Sequence, residues 1–291
     1  MNDYFAARRS LIDEHLRALA ARAGAPKPLA EPLRRAFTSP GKRVRGILTL
    51  AVGESCGAKP EKLLDAAAAM ELIHASSLIL DDLPAMDDAQ LRRGAPALHR
   101  EFGEDLAILA SVALLNHAYS LVARNHAATS PRQWPMQQVI KRVTDAVGFD
   151  GTIAGEAVDL HSEGSSLDFD TLEFIHSRKT GALFVAAAAV GGMLANISPA
   201  ALARIETFAK NLGLAFQITD DVLDVVGTPE VLGKDVGKDA QRLTFVKLAG
   251  VDGARKLSEE LVETSLAAIA NLGPGAEPLR ELAVIVRDRV K

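Results

Sequence analysis

The chain has 291 residues, of which 48% are hydrophobic and 24% charged, and its formal net charge is −4. This leaves ample apolar material for a deep core and gives no overall attraction for nucleic acid or an anionic membrane. One cysteine, Cys56, excludes an intrachain disulfide and fits a reducing, cytoplasmic setting. The first residues, Met1 to Arg9, lack the basic-then-apolar order of a signal peptide. The most apolar stretch, 183–195, is short and interrupted by glycine, so no membrane insertion is expected.

Helix formers dominate, and alternating β-branched runs are scarce. In chain order, long helices are expected over 61–80, 106–123, 137–147, 167–189, 199–223 and 254–272. Breaks are expected at Gly24-Ala25-Pro26, Ser39-Pro40-Gly41, Gly57-Ala58-Lys59-Pro60, Ser130-Pro131, Gly164-Ser165-Ser166 and Gly273-Pro274-Gly275. No break is long enough to be an interdomain linker. The expected fold is therefore all-α, a single large helical bundle over 1–291 with close, alanine-lined packing.

Two acidic clusters follow apolar helices. Asp81, Asp82, Asp87 and Asp88 end the first, with Pro84 placed to stop the helix. Adjacent carboxylates repel unless solvent or a cation relieves them. In the second, Asp220 and Asp224 are four apart and share a helix face, with Asp221 beside them. Hard oxygen ligands of this kind suit Mg²⁺, which bridges carboxylates to substrate phosphates. Basic residues accompany them: Gly41-Lys42-Arg43-Val44-Arg45, Arg92-Arg93, Lys179-Thr180-Gly181 and Gly233-Lys234-Asp235. Any one of these reads as solvated surface, but together with two acidic sites they describe a diphosphate site. His74 lies two turns before Asp81 on nearly the same face.

The order Gly41-Lys42-Arg43-x-Arg45, His74-x-x-Ser77-Leu78-x-x-Asp81-Asp82-x-x-x-x-Asp87, Arg92-Arg93-Gly94, Lys179-Thr180-Gly181 and Phe216-Gln217-x-x-Asp220-Asp221-x-x-Asp224 resembles the trans-prenyl diphosphate synthases. It is most like bacterial geranylgeranyl diphosphate synthases of the carotenoid type. The resemblance implies the isoprenoid synthase fold, a deep central cavity, a homodimer and three Mg²⁺ ions. It assigns Asp81, Asp87 and Asp220 to the metal, with Asp82, Asp221 and Asp224 in support. It assigns Arg92, Lys179 and Lys234 to an allylic diphosphate, with Thr180 and Gln217 where the two substrates meet. Gly41, Lys42, Arg45, His74 and Arg93 would bind isopentenyl diphosphate. The chain departs from the wider pattern at Ser111-Val112, where many members have Gly-Asp. It also departs at Glu156, often Gln, and at Arg242, often Lys.

Product length follows from helix geometry, since one turn rises about 5.4 Å, close to one prenyl unit. Ser76 and Ser77 stand about one turn before Asp81, where an aromatic residue would close the pocket early. Two serines favour a C20 product, geranylgeranyl diphosphate, over C15 farnesyl diphosphate. Rival readings are weaker. Glu71-x-x-His74 and Glu173-x-x-His176 match a di-iron carboxylate bundle, but leave both aspartate clusters unused. A terpene cyclase would lack the second aspartate cluster, and a catalytically silent partner subunit would have a broken one.

Overall fold

The computed structural model describes residues 3–162, 169–226 and 244–288. It is helical, as expected, with one two-stranded ribbon. Its helices are α1 (Asp3–Arg22), α2 (Lys27–Thr38), α3 (Val44–Ser55), α4 (Leu64–Asp81), α5 (Leu98–Phe102), α6 (Glu104–Thr129), α7 (Met136–Val147) and α8 (Thr152–His161). After these come α9 (Phe169–His176), α10 (Ala182–Leu194), α11 (Pro199–Val226), α12 (Phe245–Ala268) and α13 (Glu277–Asp288). The strands β1 (Leu91–Arg92) and β2 (Ala95–Pro96) pair antiparallel.

Two expected boundaries move. The helix expected over 167–189 runs on to Leu194, with Ser177–Gly181 forming a π-helical turn that joins α9 to α10. The helix expected over 254–272 ends at Ala268 and is preceded by a short helical turn from Phe245, capped by Thr244 accepting from the Lys247 amide, with a break at Gly250 (φ 71°) between the two. Pro84 acts as expected, since α4 ends at Asp81.

Small residues set the packing. α4 contributes Ala66, Ala67, Ala68 and Ala69 to the core, and α10 contributes Ala186 to Ala189, all essentially inaccessible to solvent. Side chains this short let helix axes approach closely, and α3 packs on α10 at Gly191. A Cβ there would stand 2.3 Å from the Thr49 carbonyl oxygen. The Thr49 hydroxyl donates to the Ala187 carbonyl across the same contact, at 3.0 Å. α4 lies along α6, and α11 lies along α12. This arrangement directs the C-terminal end of α4 and the later turns of α11 towards one cleft.

Candidate active site

The loop after α4 folds back on that helix. The Asp87 amide donates to the Asp81 carbonyl at 2.9 Å, and the Ala89 amide to the Asp82 carbonyl at 3.1 Å. These bonds satisfy carbonyls that the helix end leaves without partners and bring Asp87 back to Asp81. Burial, then the negative charge of Glu156, raises the Asp81 carboxyl to about 7; Asp87 adds to this and Lys179 opposes it.

Asp82 points elsewhere. Its carboxylate is buried and accepts from Arg92 Nε at 2.9 and 3.1 Å, with Arg92 Nη2 completing the fork. The Arg-Arg-Gly run makes the ribbon's turn, with Arg93 and Gly94 both at positive φ (56° and 77°), as the twist of a two-residue hairpin favours. That turn sends the two arginines apart. Arg92 goes to Asp82, while Arg93 donates to the Pro40 carbonyl and lies against Gly41.

A cleft of about 680 Å³ opens beside these groups. One wall carries Gly41, Lys42, Arg45 and His74; the Arg92-Arg93 ribbon forms a rim; Thr180, Gln217, Asp220 and Asp224 stand on the remaining wall. Leu78, Phe216 and Leu223 supply apolar lining. The cationic wall has marked effects on its own members. Burial lowers the Arg45 guanidinium to about 10, although Glu71 works against this; Arg45 also lies 5.2 Å from the centre of the Phe184 ring. Burial, then the charges of Arg45, Arg93, Arg92 and Arg43, holds His74 well below the ordinary histidine range.

The middle arginine of the Lys-Arg-x-Arg run is structural. Arg43 is buried in a left-handed conformation, donates to Asp13 Oδ1 and to the Ser39 carbonyl at 2.7 Å each, and lies 3.8 Å from Glu71. Glu71 also accepts from the Gly46 amide at 2.8 Å, which commits it to the α3 N-terminus rather than to a di-iron centre.

In the second cluster, Asp220 and Asp224 line the cleft, whereas Asp221 is buried. Asp221 accepts from Gln217 Nε2 at 3.0 Å and from the Phe245 amide at 3.4 Å, tying α11 to α12. Thr180 donates to Gln217 Oε1 at 3.0 Å. Lys179 lies between Glu156 and Asp159, at 2.6 and 2.7 Å. The sequence reading assigned no role to Asp159 or Phe216 and left that of Glu156 open. The Glu156-x-x-Asp159 spacing on α8, which sets both acids on one helix face, is the available signal. Lys234 and Arg242 lie outside the described residues.

Neither chain-length serine is among the residues that line the cleft. Ser76 is buried between α4 and α6, where its hydroxyl is 2.9 Å from that of Ser111, which donates in turn to the Ser76 carbonyl at 3.0 Å. Ser77 donates to the His74 carbonyl at 3.0 Å. Leu115 and Tyr119, one and two turns beyond Ser111 on α6, line a second cavity of about 980 Å³ with Val185 and Leu214.

Among the described residues no group of three His, Cys, Asp or Glu side chains closes around an ion. The donors still fit Mg²⁺, which keeps several waters and takes few carboxylates when phosphates supply the rest. The loop that returns Asp87 to Asp81, through the Asp87 amide donating to the Asp81 carbonyl at 2.9 Å, is the observation that carries this fit, because it sets two carboxylates at one helix end.

Residues 26–266 match the polyprenyl synthetase family. A geranylgeranyl diphosphate synthase of Cyanophora paradoxa is 40% identical over 292 residues, covering 98% of this chain and 95% of that protein. A dimethylallyltranstransferase of Fischerella ambigua is 40% identical, covering 97% and 81%. Among solved structures, an apo FPP/GFPP synthase of Zymomonas mobilis superposes with a TM-score of 0.85 at 31% identity, covering 97% of this chain and 98% of that one. With the all-helical fold, the paired aspartate clusters and this likeness over nearly the whole length, the chain belongs to the polyprenyl synthetases, enzymes that transfer prenyl groups.

Proposed function

We propose that the protein is a magnesium-dependent geranylgeranyl diphosphate synthase, which condenses isopentenyl diphosphate with allylic diphosphates up to C20. The carrying observation is the cleft that sets Lys42, Arg45, His74 and Arg93 across from Thr180, Gln217, Asp220 and Asp224. In this reading the cationic wall takes isopentenyl diphosphate, with Gly41 allowing close approach. Lys179, Arg92 and Lys234 take the allylic diphosphate. Asp81, Asp87 and Asp220 would hold three Mg²⁺ ions. Bound metal supplies charge neutralisation at the departing diphosphate.

The chain's own residues orient and protect the reactants. Arg45, fixed against Phe184, offers a guanidinium fork to phosphate oxygens. His74 donates a hydrogen bond to phosphate. Leu78, Phe216 and Leu223 exclude water from the allylic cation formed when its diphosphate leaves. The isopentenyl double bond attacks that cation, and the released diphosphate takes the proton then lost.

The C20 product is supported by small Ser76 and Ser111 at the α4–α6 contact. Homodimerisation is supported by the outward face of α6, where Ile108, Leu109 and Val112 are 42%, 55% and 57% exposed. The half-buried single thiol of Cys56 fits work in the reducing cytoplasm. The test is incubation with Mg²⁺, isopentenyl diphosphate and each allylic starter, followed by measurement of product length. No consumption of isopentenyl diphosphate would remove the whole reading. Products ending at C15 would remove the C20 assignment alone.

A further inference from the structure

Glu156 and Asp159 hold the Lys179 ammonium between them, at 2.6 and 2.7 Å. The two acids are three residues apart on α8 and therefore share a face. Gly155 makes the contact possible, since a Cβ there would stand 2.4 Å from the Lys179 amide nitrogen. The α8 backbone thus rides directly on the π-helical turn that carries Lys179. The side chains of Glu156, Asp159 and Lys179 keep only 13%, 19% and 23% of their exposure, so salt screens the cluster weakly. Burial disfavours the ammonium, but Asp159 and Glu156 outweigh it and hold Lys179 above the usual lysine range.

We propose that Glu156 is a positioning residue that competes with the incoming allylic diphosphate for Lys179. The proposal rests on the prenyl-transfer reading, in which Lys179 binds that diphosphate. A lysine ammonium is a compact charge on a flexible stem, able to turn from one anion to another. To do so here it must give up a charge-assisted hydrogen bond, which is stronger than one to a neutral amide. Glu156 then loses its ion-pair partner. The departure noted in the sequence falls on this residue, and it weakens ground-state binding of the allylic substrate. Asp159 continues to define where Lys179 sits.

The test compares full-length wild type, E156Q and E156D. Each is titrated calorimetrically at saturating Mg²⁺ with a geranyl thiodiphosphate, which resists ionisation. The shorter E156D side chain keeps the charge but withdraws it from the ammonium. Both variants are expected to bind at least about 10-fold more tightly, as loss of one charge-assisted bond implies. KM for the allylic substrate should fall in parallel, with kcat and KM for isopentenyl diphosphate nearly unchanged. Equal or weaker binding by E156Q would overturn the proposal, as would tightening in E156Q alone, which would be a bulk charge effect. Should E156Q not fold, unchanged affinity in E156D overturns it. A wild type that binds no thiodiphosphate with Mg²⁺ present would instead sink the prenyl-transfer reading beneath it.

Discussion

Arg92 grips both oxygens of the buried Asp82 carboxylate, with Nε at 2.9 and 3.1 Å. The bond anchors the ribbon to the end of α4, so it sets the position of Asp81 and Asp87 on one side and Arg93 on the other. Removing one partner of a buried pair costs about 3–5 kcal/mol, and the partial exposure of Arg92 puts Asp82→Ala near the lower value. Chemical denaturation should register that loss, together with a large fall in kcat. Arg92→Lys is expected to lose much of both as well, because an ammonium lacks the planar fork.

Asp81 carries a pH signature. Its carboxyl is near 3.9 in the unfolded chain and about 7 in the folded one. Between those values the folded state binds more protons than the unfolded state, so metal-free stability falls as pH rises. Urea midpoints measured from pH 4 to 8 should show this slope in wild type and a flatter one in Asp81→Asn. Adding Mg²⁺ with diphosphate should flatten the wild-type slope. A variant curve parallel to wild type would show that other groups cause it.

Asp81→Ala and Asp220→Ala are each expected to lower turnover by at least about 100-fold, the scale for losing a group that stabilises developing charge. Their thermal transitions should stay cooperative. Activity within a few-fold of wild type in either variant would remove that residue from the metal site.

Ser76→Phe tests the route of the growing chain. The phenyl ring would enter the α4–α6 contact where Ser76 now meets Ser111, costing about 1–3 kcal/mol through overpacking. Chromatography of the products should show a shift from C20 towards C15. An unchanged product distribution would place the floor of the cavity on other residues.

Asp65 joins three helices through His15 at 2.7 Å and Arg124 at 2.5 and 2.6 Å. Burial opposes its ionisation, but the His15 and Arg124 hydrogen bonds outweigh it and hold the carboxyl below the ordinary range. Its stabilising effect is present above the unfolded value, near 3.9, and is lost as pH falls below it. Asp65→Asn should be less stable than wild type at pH 7, and the gap should narrow in acid. A gap independent of pH would assign the loss to packing instead.

Features that depend on nearest neighbours along the chain are readable from residue order alone. Helix-forming composition, Pro84 after Asp82, and the four-residue spacing of Asp220 and Asp224 act through local sterics and helical periodicity. They are legible without a fold, and so was the grouping of Lys42, Arg45, His74 and Arg93 with the aspartates. Only the tertiary structure decided how identical residue types divide their work. Asp82 and Asp221 turn inward to Arg92 and to the α11–α12 contact, while Asp220 lines the cleft. Arg43 is buried on Asp13, whereas Arg45 faces the cleft. Lys179 is held by two acids that approach because Gly155 lets α8 settle on a π-helical turn. Such choices depend on which helix packs where and on the desolvation each carboxylate then meets, quantities set by contacts between residues far apart in the chain.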